Sequence, residues 1–107
     1  MAQIPDEIIR VVYRLKDRLL PGLAIKRMFL FGSYARGNYN DSSDIDLIVI
    51  SDDFATMNYW ERIDFLSGAI YEIFEPIEAL SFTPSEWEKS DSFLIDYAAD
   101  GETVYAT

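Results

Sequence analysis

Apolar residues recur along this chain in two patterns, one of helical spacing and one of short continuous runs. The first helical stretch has apolar side chains three or four residues apart: Ile4, Ile8, Val12, Leu15 and Leu19. This spacing predicts an amphipathic helix over residues 5–20. Pro5 with acids in the first turn is typical of a helix start, and Pro21-Gly22 of a helix end.

Three segments predict β-strands, at residues 26–31, 45–50 and 77–82, and the segment 45–50 is a nearly continuous apolar run. The run from 45 to 50 is rich in β-branched residues, which indicates a strand buried on both faces. Val104-Tyr105 predicts a last short edge strand.

Two further helices are expected between and after these strands. Apolar and aromatic positions at helical spacing predict a second amphipathic helix over roughly 58–74, ended by Pro76. Thr83 and Glu86 form a capping-box pattern with Pro84 at the first helical position, which predicts a third helix. Its helical pattern runs to Gly101, a C-cap residue type, through Phe93, Leu94 and Tyr97.

These elements predict an α/β (α+β) fold, a small mixed β-sheet with helices packed on it, in a single domain over residues 1–107. Strand 45–50, a helix and strand 77–82 form a βαβ unit, whose strands are parallel. Only a dozen residues join strands 26–31 and 45–50. Antiparallel pairing of those two strands brings Gly32 beside Asp44, whereas parallel pairing separates them. In the mixed sheet Glu78 lies at the same end as both.

Composition restricts the chemistry. The chain has no cysteine and no histidine, so thiolate and imidazole sites are excluded and the candidates are carboxylates with a hard, oxygen-preferring cation. The net charge is −10, with Lys and Arg concentrated before residue 38, which argues against unaided nucleic-acid binding. No apolar run is long enough to cross a membrane and no signal peptide is visible, so a soluble cytoplasmic protein is expected.

The most specific pattern is the segment Gly32-Ser33-Tyr34-Ala35-Arg36-Gly37, followed by Ser43-Asp44-Ile45-Asp46-Leu47. Two acids at positions i and i+2 of a strand point to the same face. Beside a glycine turn with free N–H groups, this pair predicts a site for a divalent metal that carries phosphates.

This pattern resembles the signature of the minimal nucleotidyltransferases of the DNA polymerase beta superfamily. The resemblance implies the nucleotidyltransferase fold, with Gly32 and Ser33 contacting nucleotide phosphates. It implies that Asp44 and Asp46 bind Mg²⁺, two ions in all, together with a third acid from a later strand. That acid is usually aspartate in the family, and Glu78 is the residue here that fits.

The activity implied is Mg²⁺-dependent transfer of AMP, or another nucleoside monophosphate, from an NTP such as ATP to a hydroxyl. The family precedent is a pair in which the minimal nucleotidyltransferase is the antitoxin of a HEPN-domain toxin that it adenylylates. A chain this short leaves no room for an acceptor domain, so a partner or a second subunit is expected to supply the acceptor. The basic N-terminal helix and the aromatic C-terminal part are the candidate docking surfaces.

Two alternative functions remain open at this stage. One is a binding module that neutralises its partner without catalysis, and the other is nucleotidyl transfer to a small molecule. The site residues also have structural interpretations: Asp44 as a strand cap, Asp46 paired with Arg36, and Glu78 as a surface acid. Arg36 either holds the turn through loop carbonyls or meets a phosphate.

Several other side chains have both a structural and a functional interpretation. Tyr34 and Tyr39 are either ordinary loop tyrosines or a stacking surface for a base. Arg62 is predicted to form a surface ion pair, since it lies between acidic neighbours. Trp60 and Trp87 are predicted to pack.

Overall fold

The computed structural model describes residues 4–89 and 101–107, and its centre is a four-stranded mixed sheet in the order β3-β2-β1-β4. The central pair β1 and β2 is antiparallel, β2 and β3 are parallel, and β4 pairs antiparallel with β1. This confirms the predicted mixed sheet. The strands are β1 (Arg27–Phe31), β2 (Ile45–Ile50), β3 (Ile77–Phe82) and β4 (Glu102–Ala106).

Four α-helices are described: α1 (Asp6–Leu19), α2 (Ser33–Arg36), α3 (Tyr59–Tyr71) and α4 (Pro84–Lys89). Pro5 takes the N-cap position, one residue before the first helical position. The prediction for α3 was too long at its C-terminal end, since the helix stops at Tyr71 rather than at residue 74.

A 3-10 helix over Asp52–Thr56 follows β2 and was not predicted. The fully buried Ser51 begins it: its hydroxyl accepts a bond from Asp53 N–H at 3.1 Å and donates one to Ala24 O at 2.7 Å. A sequence pattern cannot show the second contact, which joins residues 27 positions apart.

The main hydrophobic core lies between one face of the sheet and helices α1 and α3. Alternate strand residues such as Met28, Leu47 and Val49 are fully buried against Val12 and Leu15 of α1. The opposite face of the strands carries a smaller cluster. Its buried members are Phe31, Ile48 and Ile50, with Phe29, Phe82 and Trp87 packed against them.

The two tryptophans have different environments. The Trp87 ring from α4 lies 6.1 Å from that of Phe29 and 5.4 Å from that of Phe82, which confirms that it packs. The prediction that Trp60 packs was wrong, because this side chain is 70% exposed on α3, where it touches Tyr59 at a centroid distance of 5.0 Å. Helical spacing predicts which apolar side chains share one face of a helix. It does not predict whether another part of the chain packs on that face.

The capping box that begins α4 forms as predicted. Thr83 N–H donates to Glu86 Oε1 at 2.9 Å, and Glu86 N–H donates to Thr83 Oγ1 at 3.1 Å. The predicted ion pair of Arg62 also forms, but with Glu86 of α4, at 2.7 and 3.0 Å, rather than with a neighbour on its own helix.

The predicted helical continuation through Phe93, Leu94 and Tyr97 lies outside the described residues. Gly101 begins the second described segment, and a Cβ there would approach Leu30 O to 2.8 Å. None of the helices in the described part of the chain is long and apolar enough to cross a membrane.

Candidate active site

The motif residues meet at one end of the sheet, because β1 ends there and β2 and β3 begin there. In the antiparallel pair, Phe31 lies opposite Asp46. In the parallel pair, Asp46 lies beside Glu78. Neighbouring strands are about 4.8 Å apart and paired residues face the same side of the sheet, so Asp46 and Glu78 share one face.

Gly32 connects this end of β1 to α2 in a conformation that requires glycine. Its φ of 78° and ψ of −152° lie in a region essentially closed to residues with a side chain. A Cβ at this position would also fall 2.2 Å from Asp46 Oδ2. The turn backbone and the Asp46 carboxylate are therefore in direct contact.

The α2 turn directs backbone N–H groups towards the same end of the sheet. Its first internal hydrogen bond runs from Arg36 N–H to Gly32 O at 3.0 Å, so the preceding N–H groups have no acceptor within the helix. Gly37 closes the turn in the left-handed conformation, with φ of 84°, and its N–H bonds to Ser33 O at 2.9 Å.

Asp44 is exposed and stands one residue before β2. A compact turn precedes it, in which Asn40 N–H donates to Ser43 Oγ at 2.8 Å and Ser42 N–H to Asn40 Oδ1 at 2.8 Å. On its other side, Ile45 N–H donates to Pro76 O at 2.7 Å and ties the start of β2 to the start of β3. Asp44 is thus held between two hydrogen-bonded connections.

Asp46 is half-buried, and its pKa is shifted by its surroundings. Burial raises the pKa of its carboxyl above the ordinary value, the charges of Glu78 and Asp44 raise it further, and Arg36 partly opposes them. A divalent cation would relieve this repulsion at Asp46, because it neutralises neighbouring carboxylates.

The carboxylates are neighbours but are not gathered around one point. Among residues 4–89 and 101–107, no three Asp or Glu side chains are close enough together to hold one ion as they stand. The side chains of Asp44 and Glu78 are exposed, so their rotamers can change at little cost. The donor chemistry fits Mg²⁺, which binds through one or two carboxylates together with phosphate oxygens.

Arg36 ends α2 close enough to Asp46 to affect its pKa. Tyr34 lies in the same helix, and Tyr39 follows shortly after the helix ends. Arg36 is exposed, and the ion pairs of the described residues do not include one between Arg36 and Asp46. Tyr34 and Tyr39 stack on each other, with centroids 4.6 Å apart and planes 21° from parallel. Burial raises the pKa of Tyr34, and Glu7 is the first of several neighbouring charges that add to this shift.

Sequence reasoning missed two contributors to the geometry. Asn40 shapes the turn before Asp44, and its spacing from Ser43 is a side-chain turn pattern that could have revealed it. Pro76 aligns β2 with β3 through its carbonyl oxygen, and no sequence signal indicates that bond.

Comparison with known proteins identifies the family. The sequence profile of the nucleotidyltransferase domain matches residues 8–98, which is most of the chain. The chain belongs to the nucleotidyltransferase domain family. The resemblance seen in the motif is thereby confirmed.

Two proteins of Methanocaldococcus jannaschii, both named as inferred protein adenylyltransferases, are similar to this nucleotidyltransferase. One is 36% identical over 59 residues, covering 53% of this chain and 60% of the relative. The other is 57% identical over 28 residues, covering 26% of this chain and 28% of the relative. The match therefore spans less than two-thirds of either relative.

Solved structures with the same fold confirm the predicted fold class. An inferred nucleotidyltransferase from Sulfolobus solfataricus superposes with a TM-score of 0.70 at 20% identity, covering 91% of this chain and 78% of that one. A toxin–antitoxin structure with AMP-PNP gives 0.65 at 19% identity, covering 92% and 73%. One chain of the complex between a tri-AMPylated Shewanella oneidensis HEPN toxin and an MNT antitoxin gives 0.59 at 16% identity, covering 95% and 72%.

Proposed function

We propose that this protein is a Mg²⁺-dependent adenylyltransferase that moves AMP from ATP to a hydroxyl on a protein partner. The observation that carries the proposal is the register of the sheet, in which Asp46 lies beside Glu78 while Gly32 packs against its carboxylate. Membership of the family and the two relatives named as protein adenylyltransferases support the same activity.

In this proposal Asp44, Asp46 and Glu78 hold the Mg²⁺, with two ions expected. When bound, Mg²⁺ neutralises charge on the phosphates and on the developing oxyanion. The N–H groups that follow Gly32, with the Ser33 hydroxyl, bind triphosphate oxygens. Arg36 is exposed at the rim and adds positive charge for the same phosphates.

The transfer is a substitution at the α-phosphorus of ATP. The acceptor oxygen forms a bond to that phosphorus while the bond to the β-phosphate oxygen breaks, and pyrophosphate leaves. Glu78 accepts the proton of the attacking hydroxyl. Phosphoryl-type transfers depend mainly on positioning and charge neutralisation, which agrees with a site that contains carboxylates and backbone donors but no histidine.

We propose a HEPN-domain toxin as the protein partner, with this chain as its antitoxin. The structures with a similar fold include a chain from the complex of a tri-AMPylated HEPN toxin with an MNT antitoxin. That likeness is at 16% identity, so the partner is a proposal for experiment.

The test is transfer of labelled AMP from ATP to the co-purified or genetically neighbouring partner in the presence of Mg²⁺. The Asp44→Asn/Asp46→Asn double variant is expected to lose labelling by a factor of at least about 10³. Undiminished labelling by the double variant would overturn the catalytic assignment. Asp17→Asn, an exposed aspartate on α1, is the matched control.

A non-enzymatic binding module is the second candidate, and the separated carboxylates favour it. Such a protein would neutralise its partner by masking it. Partner inhibition that persists without ATP and in the double variant would support masking, whereas inhibition that requires both ATP and the two aspartates would support transfer.

A further inference from the structure

Helix α3 and strand β3 present a large apolar surface that the described part of the chain leaves uncovered. We name it the α3–β3 face, and its members are Tyr59, Trp60, Ile63, Tyr71, Phe74 and Leu80. Tyr71 is 75% exposed and Phe74 is 82% exposed. Monomeric proteins rarely expose contiguous aromatic residues on this scale without an interaction to explain them.

Phe74 gives this surface a second, independent signal. Its φ is 59°, in the left-handed region that glycine and asparagine occupy readily and that is strained for a bulky residue. The described residues do not bury the ring, which lies at a centroid distance of 5.8 Å from that of Tyr71. This turn after the end of α3 leaves the phenylalanine ring in solvent, where it is available for contact with another molecule.

The edge of the sheet beside this helix is open. Strand β3 pairs with β2 on one side, and among the described residues its other side has no strand partner. A groove of about 370 Å³ runs between α3 and β3, lined by residues that include Ile63, Leu66 and Ala79. An open edge next to an apolar groove is the geometry that accepts an extended segment of another protein.

The charges around the face select the chemistry of the occupant. Glu78 is exposed and lines the groove. Asp64 of α3 and Glu75, in the connection between α3 and β3, are also exposed acids. Among the described residues that line the groove and its continuation along β3, the one cation is Arg62. Its guanidinium is paired with Glu86. An acidic rim repels nucleic acids and anionic membranes. A symmetric second copy would bring two acidic rims together, which is unfavourable for the same reason.

We propose that the α3–β3 face docks a protein segment that places apolar residues in the groove and lysine or arginine against the acidic rim. The docking depends only on this surface. Its use in delivering an acceptor rests on the proposed function, because Glu78 both lines the groove and belongs to the candidate active site. A segment bound along β3 would end beside the carboxylates.

The test uses a synthetic acetylated decapeptide of alternating lysine and valine, with a glutamate–valine decapeptide as the probe control. Backbone amide chemical shifts of the isotope-labelled protein are followed during titration. The expected result is saturable shifts in Ile77–Phe82 and in α3 with the lysine peptide alone, weakened by salt. Shifts confined to α1, or equal shifts with both peptides, would overturn the proposal.

Matched variants separate docking from catalysis. Tyr71→Ser/Phe74→Ser is expected to weaken peptide binding at least about tenfold, while Tyr13→Ser, an exposed aromatic on α1, leaves it unchanged. The Asp44→Asn/Asp46→Asn variant is expected to bind the peptide normally even though transfer is lost. If Tyr71→Ser/Phe74→Ser instead abolishes a concentration-dependent dimer in sedimentation, the occupant is a second copy and the proposal is wrong.

Discussion

The Asp46 carboxylate fills the space that a side chain at Gly32 would need. The contact joins the end of β1 to the start of β2, so the shape of the turn and the position of the acid depend on each other. A change at either residue therefore affects both.

Gly32→Ala is expected to lose about 1–3 kcal/mol of stability from backbone strain, and more from the clash with Asp46 Oδ2. Nucleotide binding should fall with it. Denaturant unfolding and nucleotide titration measure the two effects. Gly68→Ala is the control: it lies in α3 with nothing within 4 Å of its new Cβ and should gain up to about 1 kcal/mol. Equal behaviour of the two variants would contradict the contact.

Asp46 is expected to make the protein less stable as the pH rises. Its folded-state pKa is raised, chiefly by burial and then by Glu78 and Asp44, above an unfolded value of about 3.9. The contribution of the protonated carboxyl to the free energy of unfolding is fully present below the unfolded pKa. It is lost as the pH rises through the folded pKa. Asp46→Asn should therefore be more stable than the wild type at neutral pH. This difference should be gone near pH 3.5, about the lower limit of the pH range over which the Asp46 contribution changes.

Denaturant unfolding at both pH values, in EDTA, measures this difference. Asp64→Asn, an exposed aspartate on α3, is the matched control. An Asp46→Asn variant that is less stable than the wild type at neutral pH would show that the carboxylate is favourably paired.

Glu78→Gln is expected to lower the rate of AMP transfer about 10²–10⁴-fold, since it removes the proposed proton acceptor. Glu88→Gln on the exposed side of α4 should have no effect. Glu78→Asp keeps a carboxylate at this position and is expected to retain more activity than the glutamine variant. Steady-state transfer assays measure all three, and an active Glu78→Gln enzyme would remove this residue from the site.

The Arg62–Glu86 pair is expected to contribute about 1 kcal/mol, because the Arg62 side chain is only 14% exposed. Its hydrogen bond is the main reason that the pKa of Glu86 is lowered, followed by the bond from Thr83 N–H. The contribution is therefore present above the ordinary glutamate pKa and lost as the pH falls through the lowered one.

Unfolding of Arg62→Ala at neutral and acidic pH tests this contribution. The control is Arg18→Ala, which breaks the exposed pair with Glu72 and should change stability by less than about 1 kcal/mol. The hypothesis fails if both variants lose the same amount.

Trp87→Ala is expected to cost about 2 kcal/mol, below the range for a fully buried aromatic, since its ring packs on Phe29 and Phe82. Trp60→Ala should change stability little, because the side chain is mostly exposed. Thermal unfolding of the two variants distinguishes them, and a larger loss at Trp60 would contradict the fold.

Sequence patterns were most informative where burial controls the backbone. Strands β2 and β3 were predicted to the residue, since short, mainly apolar segments bounded by polar residues or proline favour strands of this length. The 3-10 helix after Ser51 was missed because it depends on a bond to Ala24, far away in sequence. The exposure of Trp60 was missed because periodicity does not identify what covers a stripe.

The same limit applies to the candidate site. The βαβ unit predicted that Glu78 lies at the end of the sheet that carries Asp46, and the register agrees. Whether the side chains gather around one cation depends on the rotamers of exposed residues. The hydrophobic pattern of a sequence does not predict those rotamers. The proposed docking surface was also beyond reach: the sequence suggested the basic helix or the aromatic C-terminal part, whereas strain at Phe74 and the open β3 edge favour the α3–β3 face.

The two faces of the sheet differ in how much of the hydrophobic core they contain. Nearly all the large buried side chains lie on the side of α1 and α3, while the acids share the other side with a cluster of six apolar residues. Substitutions of the exposed acids Asp44 and Glu78 therefore remove little of the packing that keeps the chain folded, whereas Gly32 cannot change so freely. Such a scaffold can accept different exposed side chains at the site while its core stays the same.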